Sequence, residues 1–249
     1  MNRDQILQLP SMPALGPTYP KGPYRFINRE YLIITYQSDK DAIREIVPEP
    51  LVPNPEGHVA FEWINMPDSS GFGCYTESGC VIPCTYQGEA CNYIVGMYLD
   101  DEAPIAAGRE IWGFPKKYAN PKLEIVEDTL TGTLHYAGQM VAMGTMGYKH
   151  VNRSSEVEKT AASMAKTQVN LKLIPGIDGT PQIAELVAYN LTEITVKGCW
   201  SGPARLHLVP HVNAPVADLP VRDIVGGTHI IADLTLPYGR KLYDYLMTK

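Results

Sequence analysis

A chain of 249 residues, 45% hydrophobic and 19% charged, is too apolar for a disordered segment and long enough to bury a sizeable core. Its net charge of -6 gives no electrostatic reason to expect nucleic acid or an anionic membrane surface as a partner. No apolar run approaches the roughly 18 residues of a membrane span, and the N-terminus MNRDQILQLPSMPALGPTYPKGPYRF lacks the apolar stretch of a secretory leader; a cytoplasmic protein is expected.

In chain order, residues 1–24 come first, with Pro10, Pro13, Pro17, Pro20 and Pro23. That density excludes a long helix or a central strand, so an extended arm over the body or a neighbouring subunit is predicted. No later linker or internal repeat divides the chain, which reads as a single domain over 1–249. EYLIITYQ (30–37) is rich in β-branched and aromatic residues, HVAFEWINM (58–66) alternates in part, and CNYIVGMYL (91–99) reads as a buried strand. LEIVED, TLTGTLHY and QMVAMGTMGY fill 123–148, with Ala137-Gly138 as a hairpin turn. QVNLKLI (168–174) and QIAELVAY (182–189) flank a Gly176–Thr180 turn, and ITVKGCW (194–200), ARLHLV (204–209) and THIIADLTL (228–236) follow.

Helices are few. Ser38-Asp39-Lys40-Asp41 has the look of a helix start, and Pro48 ends that segment. Glu156–Met164, Leu219–Val225 and the C-terminal KLYDYLM are short candidates. Many short strands with few helices predict a mainly β protein, an antiparallel β-barrel or sandwich. No GxGxxG is present and strands do not alternate with long helices, which excludes a dinucleotide fold. The five cysteines (Cys74, Cys80, Cys84, Cys91, Cys199) have irregular spacing and no CxxC. Reduced, mostly buried thiols are expected, with no metal site.

The segment GREIWGFPKKYANP (108–121) stands apart, with Lys116 and Lys117 behind the apolar run Ile111 to Pro115. Read by itself it is either a solvated basic turn or a lysine held in an apolar pocket. In the second case burial lowers the lysine pKa, and the neutral amine can attack a ketone.

GREIWGFPKK, together with NREY (28–31), GCYTESG (73–79), MYLDDEAPIAAGRE (97–110) and MGYKH (146–150), resembles the acetoacetate decarboxylase family. The resemblance continues through WSGPARL (200–206) and DLPVRDIV (218–225) and spans nearly the whole chain, from Gly22 to Pro237. It implies a β-barrel of the acetoacetate decarboxylase-like type that converts acetoacetate to acetone and CO₂ without metal or organic cofactor. It also implies a homo-oligomer, with a dodecamer as the candidate size.

By the resemblance Lys116 is the Schiff-base lysine and Lys117 its neighbour. On an extended segment adjacent side chains point to opposite faces. Lys117 is therefore expected to face away, and burial rather than Lys117 is expected to lower the Lys116 pKa, with Met97, Trp112 and Phe114 as candidate walls and substrate contacts. Phe114 stands where a tyrosine can occur in the family, which makes the pocket drier. Arg29 matches an active-site arginine suited to the substrate carboxylate. Glu62 and Glu77 match two acids near the lysine. Glu77, between Gly73 and Gly79, is read as a loop residue; Glu62, on an apolar face, needs a partner, for which Arg29 is the candidate. Two other readings remain. One is a Schiff-base aldolase-dehydratase acting on pyruvate-like 2-oxo acids; the other is a barrel that binds a small acid without chemistry, with Lys116 an exposed ammonium.

Overall fold

The computed structural model describes residues 1–247. A five-residue helix, α1 (Arg3–Leu7), closed by reciprocal bonds between Asn2 and Gln5, precedes the first proline. The chain then runs without regular structure to β1 (Tyr24–Gln37), as the proline density requires. Next come α2 (Lys40–Ile46), β2 (Val52–Pro53), β3 (His58–Ser69), β4 (Gly73–Tyr86), β5 (Glu89–Leu99), α3 (Glu102–Ala107) and a π-helical turn (Gly108–Trp112) that leads into β6 (Lys116–Tyr118). A meander follows: β7 (Asn120–Val126), β8 (Thr129–Tyr136) and β9 (Gln139–Gly147). The remaining elements are β10 (Val151–Asn152), α4 (Val157–Met164), β11 (Thr167–Pro175), β12 (Pro181–Tyr189), β13 (Thr192–Gly202), β14 (Ala204–Leu208), β15 (Asp223–Leu236) and β16 (Arg240–Asp244).

The protein is mainly β, but the sheet is neither closed nor wholly antiparallel. The large sheet runs β10-β13-β15-β1-β3-β4-β5-β11-β12-β16, with β2 beside β4 and β6 beside β5, and its two end strands are not joined. A four-stranded sheet, β14-β9-β8-β7, lies apart. The exposed edge of β5 is shared: β11 pairs with its beginning and β6 with its end, both parallel. Parallel pairing needs a crossover, and α3 with the π-helical turn supplies the one between β5 and β6. That crossover is what brings Lys116 back beside Met97.

Two cores form because both faces of the large sheet are covered. The middle of β1, Tyr31 to Ile34, therefore reads as an apolar run rather than an alternating one. Leu32, Ile34 and Tyr36 face the four-stranded sheet, whose Leu130, Leu134 and Val141 share their cluster; Tyr31 belongs to the opposite core with Ile64, Met66 and Met97. Trp63 settles on paired glycines of β8 and β9. A Cβ at Gly132 or Gly144 would lie 2.3 or 2.4 Å from its ring.

Three expectations are corrected. Leu219–Val225 is not helical: after a short 3-10 turn at Val216–Asp218 the chain becomes extended, and β15 begins at Asp223. KLYDYLM is strand β16 and a turn, because its residues pair with β12. GCYTESG is not a loop but the start of β4, an inner strand between β3 and β5.

Candidate active site

The lysine segment is held from several sides. Asp101 accepts from the Ala103 N–H at 3.1 Å and starts α3. The π-helical turn ends at Gly113, in the left-handed region at φ +73°, where a Cβ would lie 2.4 Å from the Lys172 Cβ. The turn's last carbonyls are not left bare: buried Asn170 donates to Trp112 O at 3.2 Å and Lys172 donates to Ile111 O at 3.0 Å. The Phe114 N–H donates to Gly108 O, the Met97 N–H donates to Pro115 O, and Arg109 donates to Lys116 O at 3.2 Å.

The Lys116 stem crosses the turn at Gly108, where a Cβ would stand 2.7 Å from Cδ, 2.9 Å from Cε and 3.3 Å from Nζ. Gly108→Ala is therefore expected to displace the amine into the cavity without breaking the sheet. The expected result is a fall in kcat of tenfold or more and a shifted acid limb in the pH profile, with a thermal midpoint near that of wild type. An unchanged pH profile would show that the glycine does not position the amine.

Lys117 points the other way. Its Nζ donates to Asn213 O at 2.7 Å and lies 5.9 Å from the centre of the Tyr136 ring. Its partner is a backbone carbonyl, not an acid. Lys117→Met should leave the Lys116 amine as easily trapped at neutral pH as in wild type, measured by the pH dependence of reductive labelling. A trapping pKa restored to the ordinary lysine range would mean that the Lys117 charge does the lowering.

Lys116, Glu77, Glu62 and Arg29 all line one cavity of about 630 Å³. Lys116 is 7% exposed and Glu77 only 1%; Nζ and Oε2 are 3.1 Å apart. That contact is a buried ion-pair contact, the closest charged partner of the amine among the described residues. Burial lowers the Lys116 pKa below its usual value; Glu77 opposes this and Arg29 adds to it. Phe114 supplies an aromatic wall, its ring centre 5.0 Å from Nζ. Burial, partly offset by Arg29 and reinforced by Glu77, pushes the Glu62 carboxyl up to about 7.

Arg29 reaches the cavity through a bulge. The β1–β15 register slips between Phe26 and Arg29, and Asn28 there has φ +54°. The bulge is pinned: the Asn28 N–H donates to Asp233 at 2.8 Å, and Lys197 bonds both Asp233 and the Asn28 side chain. The guanidinium lies over Phe26 and Tyr31, 5.2 and 4.9 Å from their ring centres, and its Nε has no hydrogen-bond partner among the described residues. No ion pair joins Arg29 to Glu62 among the described residues, so the expected partnership acts through space rather than by contact.

Of the expected walls, Met97 and Phe114 line the cavity and Trp112 does not. Trp112 stands behind Phe114, stacks on Tyr238 and donates its indole N–H to Pro237 O at 3.0 Å. Tyr31, Tyr75 and Tyr189 were not singled out by the sequence, where fifteen tyrosines look alike. Burial raises all three pKa values and keeps the phenols protonated. Gly108 was also missed, since a glycine closing a helix reads as an ordinary C-cap and only the packing lays the lysine stem on it.

The family description "Acetoacetate decarboxylase (ADC)" matches residues 10–246. Acetoacetate decarboxylases of Burkholderia mallei and Acidiphilium cryptum are 55% and 54% identical over 237 and 236 residues, covering 95% of both chains in each case. The crystal structure of acetoacetate decarboxylase from Legionella pneumophila superposes with a TM-score of 0.91 at 51% identity, covering 96% of this chain and 94% of that one. With these matches spread over fold and sequence alike, the chain belongs to the acetoacetate decarboxylase family.

Proposed function

We propose that the protein decarboxylates acetoacetate to acetone and CO₂ through a Schiff base on Lys116. The observation that carries this reading is a lysine amine, 7% exposed and with its pKa lowered by burial, that shares a cavity with Arg29, Glu62 and Glu77. The neutral amine adds to the ketone carbon, and the carbinolamine takes a proton on its hydroxyl and loses water, which leaves a cationic imine. The bond to the carboxylate breaks, its electron pair moves into the C–C bond of an enamine, and the nitrogen becomes neutral as CO₂ leaves. A proton then adds to carbon, and water returns acetone and free Lys116.

Arg29, with an unpartnered Nε, receives the carboxylate. Glu77, beside the amine, sets a negative charge against the leaving carboxylate and so favours its loss as neutral CO₂. Glu62, poised near neutral pH, carries protons to and from the addition intermediate. Met97 and Phe114 keep the amine dry. Lys117 takes no chemical step and anchors the segment. A non-catalytic binding barrel would leave Lys116 exposed, contrary to its burial, and no feature of the cavity favours the aldolase-dehydratase reading over decarboxylation.

The test is incubation with acetoacetate and borohydride, followed by digestion. Label on the Lys116 peptide together with CO₂ release is expected. Label from pyruvate alone, or none at all, would overturn the assignment. We also read the chain as one domain that assembles in the cytoplasm as a homo-oligomer, a dodecamer being the candidate size. The exposed Ile6, Leu7, Met12 and Leu15 of the arm are apolar surface that such an assembly would cover. Sedimentation of the full chain should show a species well above 27.5 kDa, and a lone monomer would end that reading.

A further inference from the structure

We propose that the Tyr75 phenol gives the enamine carbon its proton after CO₂ has left; the inference rests on the Schiff-base reading above. That step needs an acid beside the carbon that carried the carboxylate, at the Arg29 end of the cavity rather than at the nitrogen.

Strand register places the groups. Ile33, Glu62, Gly79, Met97 and Lys116 form one row across β1, β3, β4, β5 and β6. Tyr31, Ile64 and Glu77 form the next row. A further step of about 7 Å along the strands reaches Met66 and Tyr75. Arg29 closes that row, because Met66 follows Asn65, the partner of Glu30. The Lys116 amine leans out of its own row to lie 3.1 Å from Glu77 in the middle one. A ketone bound there with its carboxylate toward Arg29 therefore has its α-carbon on the side of Tyr75.

Position sets the other proton carriers of the cavity aside. Glu62 shares the row of the lysine and serves the nitrogen end. Glu77 works as an anion and has no proton to give. Tyr189 packs on Phe114, ring centres 5.1 Å apart, and Phe114 lies against the amine. The Tyr31 oxygen is enclosed, without a partner. Tyr75 lines the cavity at 6% exposure, and its hydroxyl bonds to no described residue, so its proton is not committed elsewhere.

The charges around Tyr75 time the transfer. Burial and Glu77 keep the phenol protonated, while Arg29 pulls the other way. A carboxylate on Arg29 neutralises that pull, and departure of CO₂ restores it. The Tyr75 O–H bond then breaks as the enamine C=C pair takes the proton to form a C–H bond, and the nitrogen lone pair closes a cationic imine. The phenolate is left beside two cations, the imine and Arg29. Water adds to the imine carbon, and the proton it releases returns to Tyr75.

The same transfer runs backward when acetone binds the lysine, so exchange of acetone hydrogens for solvent deuterium reads it apart from CO₂ loss. Tyr75→Phe keeps the ring and breaks no hydrogen bond, so its thermal midpoint should match or exceed that of wild type. Its deuterium exchange is expected to fall about 10²-fold or more, the share of a lost general acid, while borohydride trapping of acetone on Lys116 stays within about twofold. With acetoacetate the variant should release CO₂ in a burst matching the number of sites and then slow. Tyr31→Phe should leave exchange near the wild-type rate. Exchange per trapped imine unchanged in Tyr75→Phe would overturn the inference and leave the parent function standing. So would trapping that falls in parallel with exchange, or a loss of exchange confined to Tyr31→Phe. Wild-type protein that traps no acetone would instead remove the Schiff-base reading and this step with it.

Discussion

Lys116→Met abolishes CO₂ release from acetoacetate, with an expected loss in kcat of at least ~10⁴-fold, and removes the borohydride-trapped adduct. Methionine keeps the unbranched shape and fits beside Gly108, Met97 and Phe114, so the loss reports the amine and not a collapsed pocket. Stability gives an independent reading. Breaking a buried pair of full charges costs about 3–5 kcal/mol. Here burial favours the uncharged amine and outweighs the opposing pull of Glu77 at 3.1 Å. The variant should therefore lose much less than that.

Its pH dependence has a definite sign. With the folded pKa below the ordinary lysine value, the unfolded chain binds more protons between the two values. Wild-type stability then rises with pH in that window and carries a growing cost as pH falls below about 10.4. Removing the amine removes the cost, so the variant gains on wild type as the solution is acidified. A variant that instead loses several kcal/mol at neutral pH would show that Lys116 rests as an ammonium paired to Glu77. Chemical denaturation across pH measures this directly.

Glu62→Gln lowers kcat by about 10²–10⁴-fold, the range of a lost general acid–base, and erases the limb of the pH profile near 7. Glutamine preserves shape, and the other cavity groups stay in place. The same carboxyl penalises folding at high pH. The unfolded group ionises from about 4.3, while the folded one holds its proton to about 7. Through that window the folded state binds more protons, so stability falls as pH rises. Glu62→Gln should recover on the order of 3 kcal/mol above pH 7 and nothing below about pH 4. Retention of the limb near pH 7 would move the proton-carrying role away from Glu62.

Local pattern was enough for most of the strands. The Ala137-Gly138 hairpin was legible because Gly138 accepts the positive φ, 80°, that a tight two-residue turn between two strand-like runs requires; Ala137 takes 49° there under the same constraint. β4 was illegible for a reason tied to the site: Glu77 and Gly79 face the cavity and the close-packed backbone of Gly96, so the strand carries the composition of a loop. KLYDYLM misled in the other direction, since its helix-like spacing yields to pairing with β12, a contact distant in sequence.

For the site, the residue types and the adjacency of Lys116 and Lys117 were written in the chain, and strand alternation alone turns Lys117 away from the cavity. The sequence also carries the apolar run Tyr31 to Ile34, which suits the part of β1 that is covered on both faces. Only the tertiary structure decided that Arg29 turns inward at a bulge pinned by Asp233 and Lys197, that Trp112 stands behind the wall rather than in it, and that three particular tyrosines complete the cavity. The crossover through the π-helical turn, which lays the lysine stem on Gly108, and the open ends of the sheet at β10 and β16, where a barrel was expected, also belong to that level. The reason is physical. Alternation and turn chemistry act between near neighbours, whereas desolvation of an amine depends on which distant strands close over it.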